Sequence, residues 1–274
     1  MQIKKLFIAL GIVLPLHMQG QNFLIKDAPE VIESYVNRFN REDNELYKQD
    51  IPNCGASDFL RKNIPFFECS DKELEKTYYF RWWTYRKHIK KTPDGFVITE
   101  FLPDVPWAGK YNTISCAANH HFYEGRWLRN AEILSDYASF WFSGSGNPRL
   151  YSFGAADAIY NYYLIHNDKM LLADLYPKLK DNFAKWEEEK RDSTGMFWQV
   201  DDRDGMEMSV SGHLSEGGRG YRPTINSYMY GEAVALAKIA SIVDRDMEAR
   251  TYQKKADKLK GMINRRLWDK QADF

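Results

Sequence analysis

Apolar residues recur at three- and four-residue intervals through most of the chain beyond residue 70. Leu172, Leu175, Leu179, Phe183 and Trp186 form one such stripe, Met229, Ala233, Leu236, Ile239 and Val243 a second, and Tyr252, Ala256, Leu259, Ile263 and Leu267 a third. A stripe of this period is the buried face of an amphipathic α-helix. The same reading predicts helices over "SDKELEKTYYFRWWTYRKHIKK", over "TISCAANHHFYEGRWLRNAEILSDYASFWFSG" with an interruption near Gly125, and from Ser152 through "FGAADAIYNYYLIHND". Ser70 is the expected N-cap of the first, with Glu73 as its capping-box partner. That helix is expected to stop before the turn sequence "TPDG". "FVITEFLPDVPW" is expected to be an extended, proline-punctuated loop. Residues 21–70 are a mixed lead-in, with helical spacing at Val31, Tyr35 and Phe39 and a loop-rich "NCGASDFLRKNIPFFECSD". Strand signals are few. The unit helix, short turn, helix, then long Gly- and Trp-rich loop predicts an all-α architecture of antiparallel hairpins. Functional residues belong on the long loops at one end.

The first twenty residues stand outside this pattern. Lys4 and Lys5 precede an apolar run from Leu6 to Leu16, followed by a short polar stretch. This is the outline of a secretory signal peptide, with cleavage expected near Gly20 or Gln21. The run is too short to anchor the chain across a bilayer, so a periplasmic or secreted protein is expected, with no membrane association after cleavage. The chain balances 38 basic against 38 acidic residues over 274 positions, which gives no electrostatic reason to expect a nucleic-acid partner. Aromatic residues are 15% of the total, and their flat faces suit both core packing and stacking on sugar rings.

The chain has three cysteines, Cys54, Cys69 and Cys116. An odd number leaves at least one thiol unpaired, and a Cys54–Cys69 bridge depends on geometry that sequence does not give. No CxxC or HExxH spacing supports zinc. Asp-rich loops offer oxygen ligands to calcium, but EF-hand spacing is lacking. No cofactor is therefore expected.

The most distinctive chemistry lies in "DGMEMSVSG", Asp204 to Gly212. Glu207 stands between Met206 and Met208 in a stretch too polar and Gly-rich for a core helix. Partial desolvation raises a carboxyl pKa and makes a proton donor near neutral pH; a turn cap is the simpler role. Asp201, Asp202 and Asp204 crowd the same loop, as ligands for sugar hydroxyls or as a solvated surface. Trp107 and Trp198 lie on loops, where a sugar platform competes with core filling.

With "INSYMYGEAVALAKIA" and "YQKKADKLKGMINRRLWD" following, the chain resembles the six-hairpin (α/α)6-barrel glycosidases: trehalase, glycoside hydrolase family 63 and the mannosylglycerate-hydrolase-like group. The resemblance implies that Glu207 takes the general-acid place, and that Asn226, Ser227 and Tyr230 open the next helix. Asn226 could equally serve there as an N-cap. "PWAGKYNTISCAANHHFYEGRWL" would be an early sugar-contacting loop and helix, giving Arg126 and Trp127 to a first sugar subsite, though Arg126 also suits a helix-to-core salt bridge. The chain departs from the family in having Glu for Asp, and in lacking the Arg shortly after the acid; Arg219 or Arg222 could substitute. The expected substrate-binding set is thus Trp107, Arg126, Trp127, Trp198, Asp204, Arg222 and Asn226.

The family inverts at the anomeric carbon, with a second carboxylate in the last hairpins. About six substantial helices are countable from Thr77 on, against twelve in a closed barrel. Residues 71–274 are therefore expected to be the first part of an (α/α)6 domain without the base, in a piece of a longer enzyme or a truncated product. The function implied is an exported inverting glycoside hydrolase acting on an oligo- or polysaccharide. Two alternatives stand beside it. One is a polysaccharide lyase on an α/α toroid using His120, His121 and Tyr123. The other is a non-catalytic glycan-binding helical protein.

Overall fold

The computed structural model describes residues 28–206 and 219–272. The signal-peptide region and Glu207 lie outside the described residues, so the structure bears on neither. Three helices open the described part: α1 (Ala28–Glu42), α2 (Asn53–Asn63) and α3 (Lys72–His88). A hairpin of β1 (Ile89–Thr92) and β2 (Gly95–Ile98) follows, then α4 (Ser115–Gly125), α5 (Glu132–Phe142), α6 (Ala155–His166) and α7 (Lys169–Lys190). A short ribbon of β3 (Gln199–Val200) and β4 (Arg219–Gly220) precedes α8 (Pro223–Ile242) and α9 (Asp246–Arg266).

The predicted stripes are buried apart from their last members: Val243, Ile263 and Leu267 are half-buried, and Met262 takes a core position in α9 instead. Leu172, Leu175, Leu179, Phe183 and Trp186 of α7 join Met229, Ala233, Leu236 and Ile239 of α8 and Ala256 and Leu259 of α9 in one continuous core. The hairpins α4–α5, α6–α7 and α8–α9 stand side by side. Helices α4, α6 and α8 form one row, packed in that order. From the other row Tyr137 of α5 stacks across onto Phe122 of α4 at 5.2 Å, and within that row Phe183 of α7 meets Tyr252 of α9 edge-on at 5.6 Å. This is the all-α architecture of antiparallel hairpins that the sequence predicts, with three hairpins among the described residues.

The loops at the two ends differ. Turns 126–131, 167–168 and 243–245 are short, whereas 99–114, 143–154 and 191–222 are long and all lead into α4, α6 or α8. The N-terminal ends of that row therefore gather the long loops. Its open side runs along α8, where Ser227 and Lys238 are exposed and a Cβ on Gly231 would meet nothing within 4 Å.

Three local expectations are corrected. Asp71, not Ser70, caps α3: its carboxylate accepts from the amides of Glu73 (3.0 Å) and Leu74 (3.1 Å), while the Glu73 carboxylate pairs with Lys76 instead. The carboxylate also sits at the positive end of the helix, which favours it over a hydroxyl. Secondly, "FVI" is the strand β2 rather than loop. The turn closes through Gly95 (φ +96°) and the Thr92 hydroxyl, which donates to the Gly95 carbonyl at 2.7 Å. Val97 and Ile98 are then buried against α5. Thirdly, the loop-rich lead-in contains α2, whose Ala56 and Leu60 are one turn apart and fully buried. The chain before α2 is held by Arg86 of α3, whose guanidinium donates to Gln49 Oε1 (2.6 Å), the Ile51 carbonyl and Asn53 Oδ1. The three cysteines are free thiols, so no Cys54–Cys69 bridge forms.

Helix α4 can approach α3 closely because Gly125 has no side chain. Tyr85 donates to the His121 carbonyl at 2.7 Å, and its hydroxyl lies where a Cβ on Gly125 would be. Overpacking of this kind typically costs about 1–3 kcal/mol. Gly125→Ala should therefore lower the urea midpoint by a corresponding amount at unchanged m-value. A midpoint equal to wild type would mean that the α3–α4 contact relaxes freely.

Candidate active site

The long loops converge at the starts of α4, α6 and α8, and buried polar side chains tie them there. Asn226 is the most completely used. It sits one turn into α8, fully buried, and its Oδ1 accepts from the Phe197 amide at 2.9 Å. Its Nδ2 donates to the carbonyls of Phe197 and Arg222, each at 2.8 Å. It is neither an N-cap nor open to a ligand in this arrangement; it joins the 191–222 loop to the helix that the loop enters.

Asp201 and Arg222 are both buried and form an ion pair across the same loop. Burial lowers the Arg222 pKa from its usual value. Asp204 is 5% exposed; its Oδ1 accepts from Ser152 Oγ at 2.5 Å, and Thr224 also bonds its side chain. The Ser152 amide donates to the Arg203 carbonyl at 2.7 Å, and the Tyr151 amide to Ser115 Oγ at 3.1 Å. Loops before α4, α6 and α8 are thereby linked in sequence. Desolvation raises the Asp204 pKa, partly offset by the Ser152 and Thr224 bonds.

The remaining expected residues are distributed unevenly. Trp198 lies beside the ribbon with Lys190 Nζ 4.0 Å and Arg219 Cζ 3.9 Å from its ring centroid, so cations occupy the ring. Trp107 is 55% exposed on the loop before α4, edge-on to Phe101 at 6.1 Å. Arg126 and Trp127 lie at the other end of the row, on the α4–α5 turn. There Arg126 Nη1 donates to Asn161 Oδ1 at 2.5 Å, and its carbonyl contacts His166 Nε2 at the end of α6. The Arg126 guanidinium makes no salt bridge among the described residues; it stacks instead near Trp127, 5.2 Å from the ring centroid. The structure thus brings Asp204, Arg222, Asn226 and Trp198 together and sets Arg126 and Trp127 apart. Met206, exposed, is the last described residue before Glu207.

Two carboxylates that sequence reasoning did not single out line the α4–α6–α8 row. Glu232 of α8 is fully buried, and its Oε1 accepts from the Ala156 amide and, at 3.1 Å, from the Asp157 amide. It caps α6 from a neighbouring helix, because Gly154 at the N-cap position has no side chain to do so. Asp157 accepts in turn from the Tyr123 hydroxyl of α4. Glu232 carried a readable signal: it falls on the buried face set by Met229, Ala233 and Leu236, where a carboxylate needs a partner. Asp157 carried none. His120 is exposed on α4, whereas burial pushes the His121 imidazole down to about 3, with its Nδ1 3.2 Å from the Tyr137 hydroxyl. Among the described residues no group of three or more His, Cys, Asp or Glu is placed to hold a metal ion.

Burial, reinforced by the Asp157 charge, pushes the Glu232 carboxyl up to about 8, although the Asp157 and Ala156 amides favour its ionised form. The folded protein then holds a proton here that the unfolded chain releases above its ordinary 4.5. Stability contributed by this site is present below that value and is lost as pH rises towards 8. Glu232→Gln keeps an acceptor for both amides and cannot ionise. Its Tm should change less than that of wild type between pH 5 and 8; identical Tm–pH curves would remove Glu232 as a titrating group.

A comparison with curated proteins finds no match. Among solved structures, one named as a sialidase matches at a TM-score of 0.85 and 39% identity, over 90% of this chain and 23% of that one. The chain therefore spans about a quarter of the length of that protein. Residues 110–274, from the loop before α4 to the end of α9 and beyond, match the family described as the mannosylglycerate hydrolase MGH1-like glycoside hydrolase domain. That span contains all three hairpins and the gathered loops, and this chain belongs to the MGH1-like glycoside hydrolase family.

Proposed function

We propose that the protein is an exported glycoside hydrolase that cleaves oligo- or polysaccharide bonds with inversion, and that Glu207 is its general acid. The observation that carries this reading is the anchoring of the chain on both sides of residues 207–218. Asp204 is held to the loop before α6, and Arg222 is bonded by Asn226 of α8 and paired with Asp201, so the described residues that flank this stretch in sequence are fixed at the end of the row where the long loops meet. Family membership supplies the reaction class. In hydrolysis of this kind the acid gives its proton to the glycosidic oxygen as the bond to the anomeric carbon breaks. A water activated by a second carboxylate adds from the opposite face. We assign that base to none of the described residues. Trp107 is an exposed aromatic on these loops suited to a sugar face, and carbohydrate is the proposed partner.

The reading makes two checks available. Glu207→Gln keeps the shape of the side chain but removes the transferable proton. General acid catalysis typically contributes about 10²–10⁴-fold, so kcat on an alkyl glycoside should fall by roughly that factor with little change in KM. A glycosyl fluoride, whose leaving group needs no protonation, should lose far less; equal losses on both would exclude the acid role. An unsaturated, ultraviolet-absorbing product would instead identify a lyase, and binding without turnover a glycan-binding protein. For export, the mature protein recovered from the cell envelope or medium should begin near Gln21 by mass spectrometry. An intact Met1 there would contradict the signal peptide.

A further inference from the structure

The loop before α6 serves two sides of the molecule. From Tyr151 onward it is tied into the mouth. Its first half turns towards α5 and α7 instead: the Gly146 amide donates to the Phe140 carbonyl at 3.1 Å, and a Cβ on Gly146 would lie 2.7 Å from Trp141 Cα. Arg149 reaches α7, where its guanidinium pairs with Glu189 at 3.2 Å. Between these contacts lies a groove of about 360 Å³, with Trp141, Phe142, Pro148 and Pro177 as its apolar walls. Its polar lining is Arg149, Lys178, Asp181, Asn182 and Lys185. Asp181 pairs with Lys185 at 2.7 Å, whereas Lys178 is exposed and makes no ion pair among the described residues. The groove thus keeps one uncompensated positive charge.

Asn182 adds a donor to that charge. Lys178 and Asn182 stand four residues apart on α7 and so share a face of the helix. Asn182 is 2% exposed, and its Oδ1 accepts from Arg149 Nη1 at a long 3.4 Å. That bond orients the amide and leaves Nδ2 buried without a hydrogen-bond partner among the described residues. Buried amide donors are normally satisfied, and an orphan is a cost that an apolar side chain of the same size would avoid. Pro177, on the same wall, stands inside α7, where it removes a helical hydrogen bond. Departures of this kind gather where a chain gives up stability for a site. The partner missing from Asn182 is an acceptor, and the charge beside it calls for an anion. A carboxylate supplies both, and the apolar walls suit the C–H face of a sugar ring.

We propose that this groove binds one acidic sugar unit, a uronate, with its carboxylate at Lys178 and the Asn182 amide. The groove lies against the α5–α7 row, apart from the starts of α4, α6 and α8. It gives the protein a hold on an anionic glycan that is separate from the bond being cut, and it does not depend on which carboxylate is the general acid.

The test is a saturation-transfer NMR titration of glucuronate on the full-length protein, with glucose and acetate as comparison ligands. Glucuronate should bind saturably and more tightly than either. Lys178→Ala removes an exposed cation that makes no ion pair among the described residues, so Tm should hold while affinity for glucuronate falls about tenfold. Asn182→Leu removes the orphan donor; affinity should fall by a similar factor while Tm holds or rises, whereas loss of a merely structural amide would lower Tm. Raising the ionic strength should weaken glucuronate binding and leave glucose unaffected. Glucose binding as tightly as glucuronate, or equal glucuronate affinity in wild type and Lys178→Ala, overturns the proposal. Acetate binding as tightly as glucuronate overturns the assignment to a sugar and leaves a simple carboxylate site. A lower Tm with unchanged affinity in Asn182→Leu overturns the role given to Asn182.

Discussion

The buried amide of Asn226 is the contact on which the arrangement of the mouth depends. A loop of some thirty residues between α7 and α8 cannot fold back onto the helix row unless its backbone groups are satisfied there. Unpaired, each would cost about 1–3 kcal/mol in the interior. Asn226 meets both the N–H and the C=O of Phe197 and also ties down the Arg222 carbonyl. Phe197 then inserts fully into the core, and the ribbon β3–β4 starts from a fixed point. The Asp201–Arg222 pair and the Asp204–Ser152 bond extend this anchoring outward towards the substrate end.

The same logic operates one helix further along the row. Glu232 spends its carboxylate on the first amides of α6, which brings α6 and α8 into register and presents Asp157 to Tyr123. Polar side chains from the interior of each helix thus satisfy the backbone of its neighbour. This explains why a row built from apolar stripes contains so many buried acids. It also separates two kinds of polar residue at the mouth. Asn226, Asp201, Asp204 and Arg222 hold the frame, whereas Trp107 stays exposed on the loop before α4.

The helical part of the fold was legible because burial imposes a period on the sequence. The stripe of α7 and the first members of those of α8 and α9 named their own buried residues, and only the last positions, Val243, Ile263 and Leu267, stay half-buried. The β1–β2 hairpin was not legible, because "FVITEFLPDVPW" carries two prolines that suggest a loop, while the closure depends on Gly95 and on the distant Asp136 of α5, which accepts from the Phe96 amide. Helix α2 was hidden by Asn53, Gly55 and Ser57, poor helix formers that tertiary contacts override. At the site, the crowding of Asp201, Asp202 and Asp204 was visible, but their division into a buried ion pair, a half-buried residue and a buried strut was not. That division is set by Arg222 and Ser152, whose pairing is a property of three-dimensional space. The displacement of Arg126 and Trp127 to the far end has the same origin. "EGRW" lies next to a helix end in sequence, and only the row's direction tells which end that is.

Backbone hydrogen exchange at Phe197 and Met206 tests the anchoring most directly. Both amides lie in an irregular loop, but one is bonded to a fully buried side chain and the other to the carbonyl of a buried ion-pair residue. If the frame is as described, both exchange slowly, the Phe197 amide with protection approaching that of the buried turns of α8, and in Asn226→Ala the Phe197 protection is lost while α9 remains protected. Exchange of both at the rate of an exposed loop in the wild-type protein would contradict the account, because the segment bearing Glu207 would then have no fixed base.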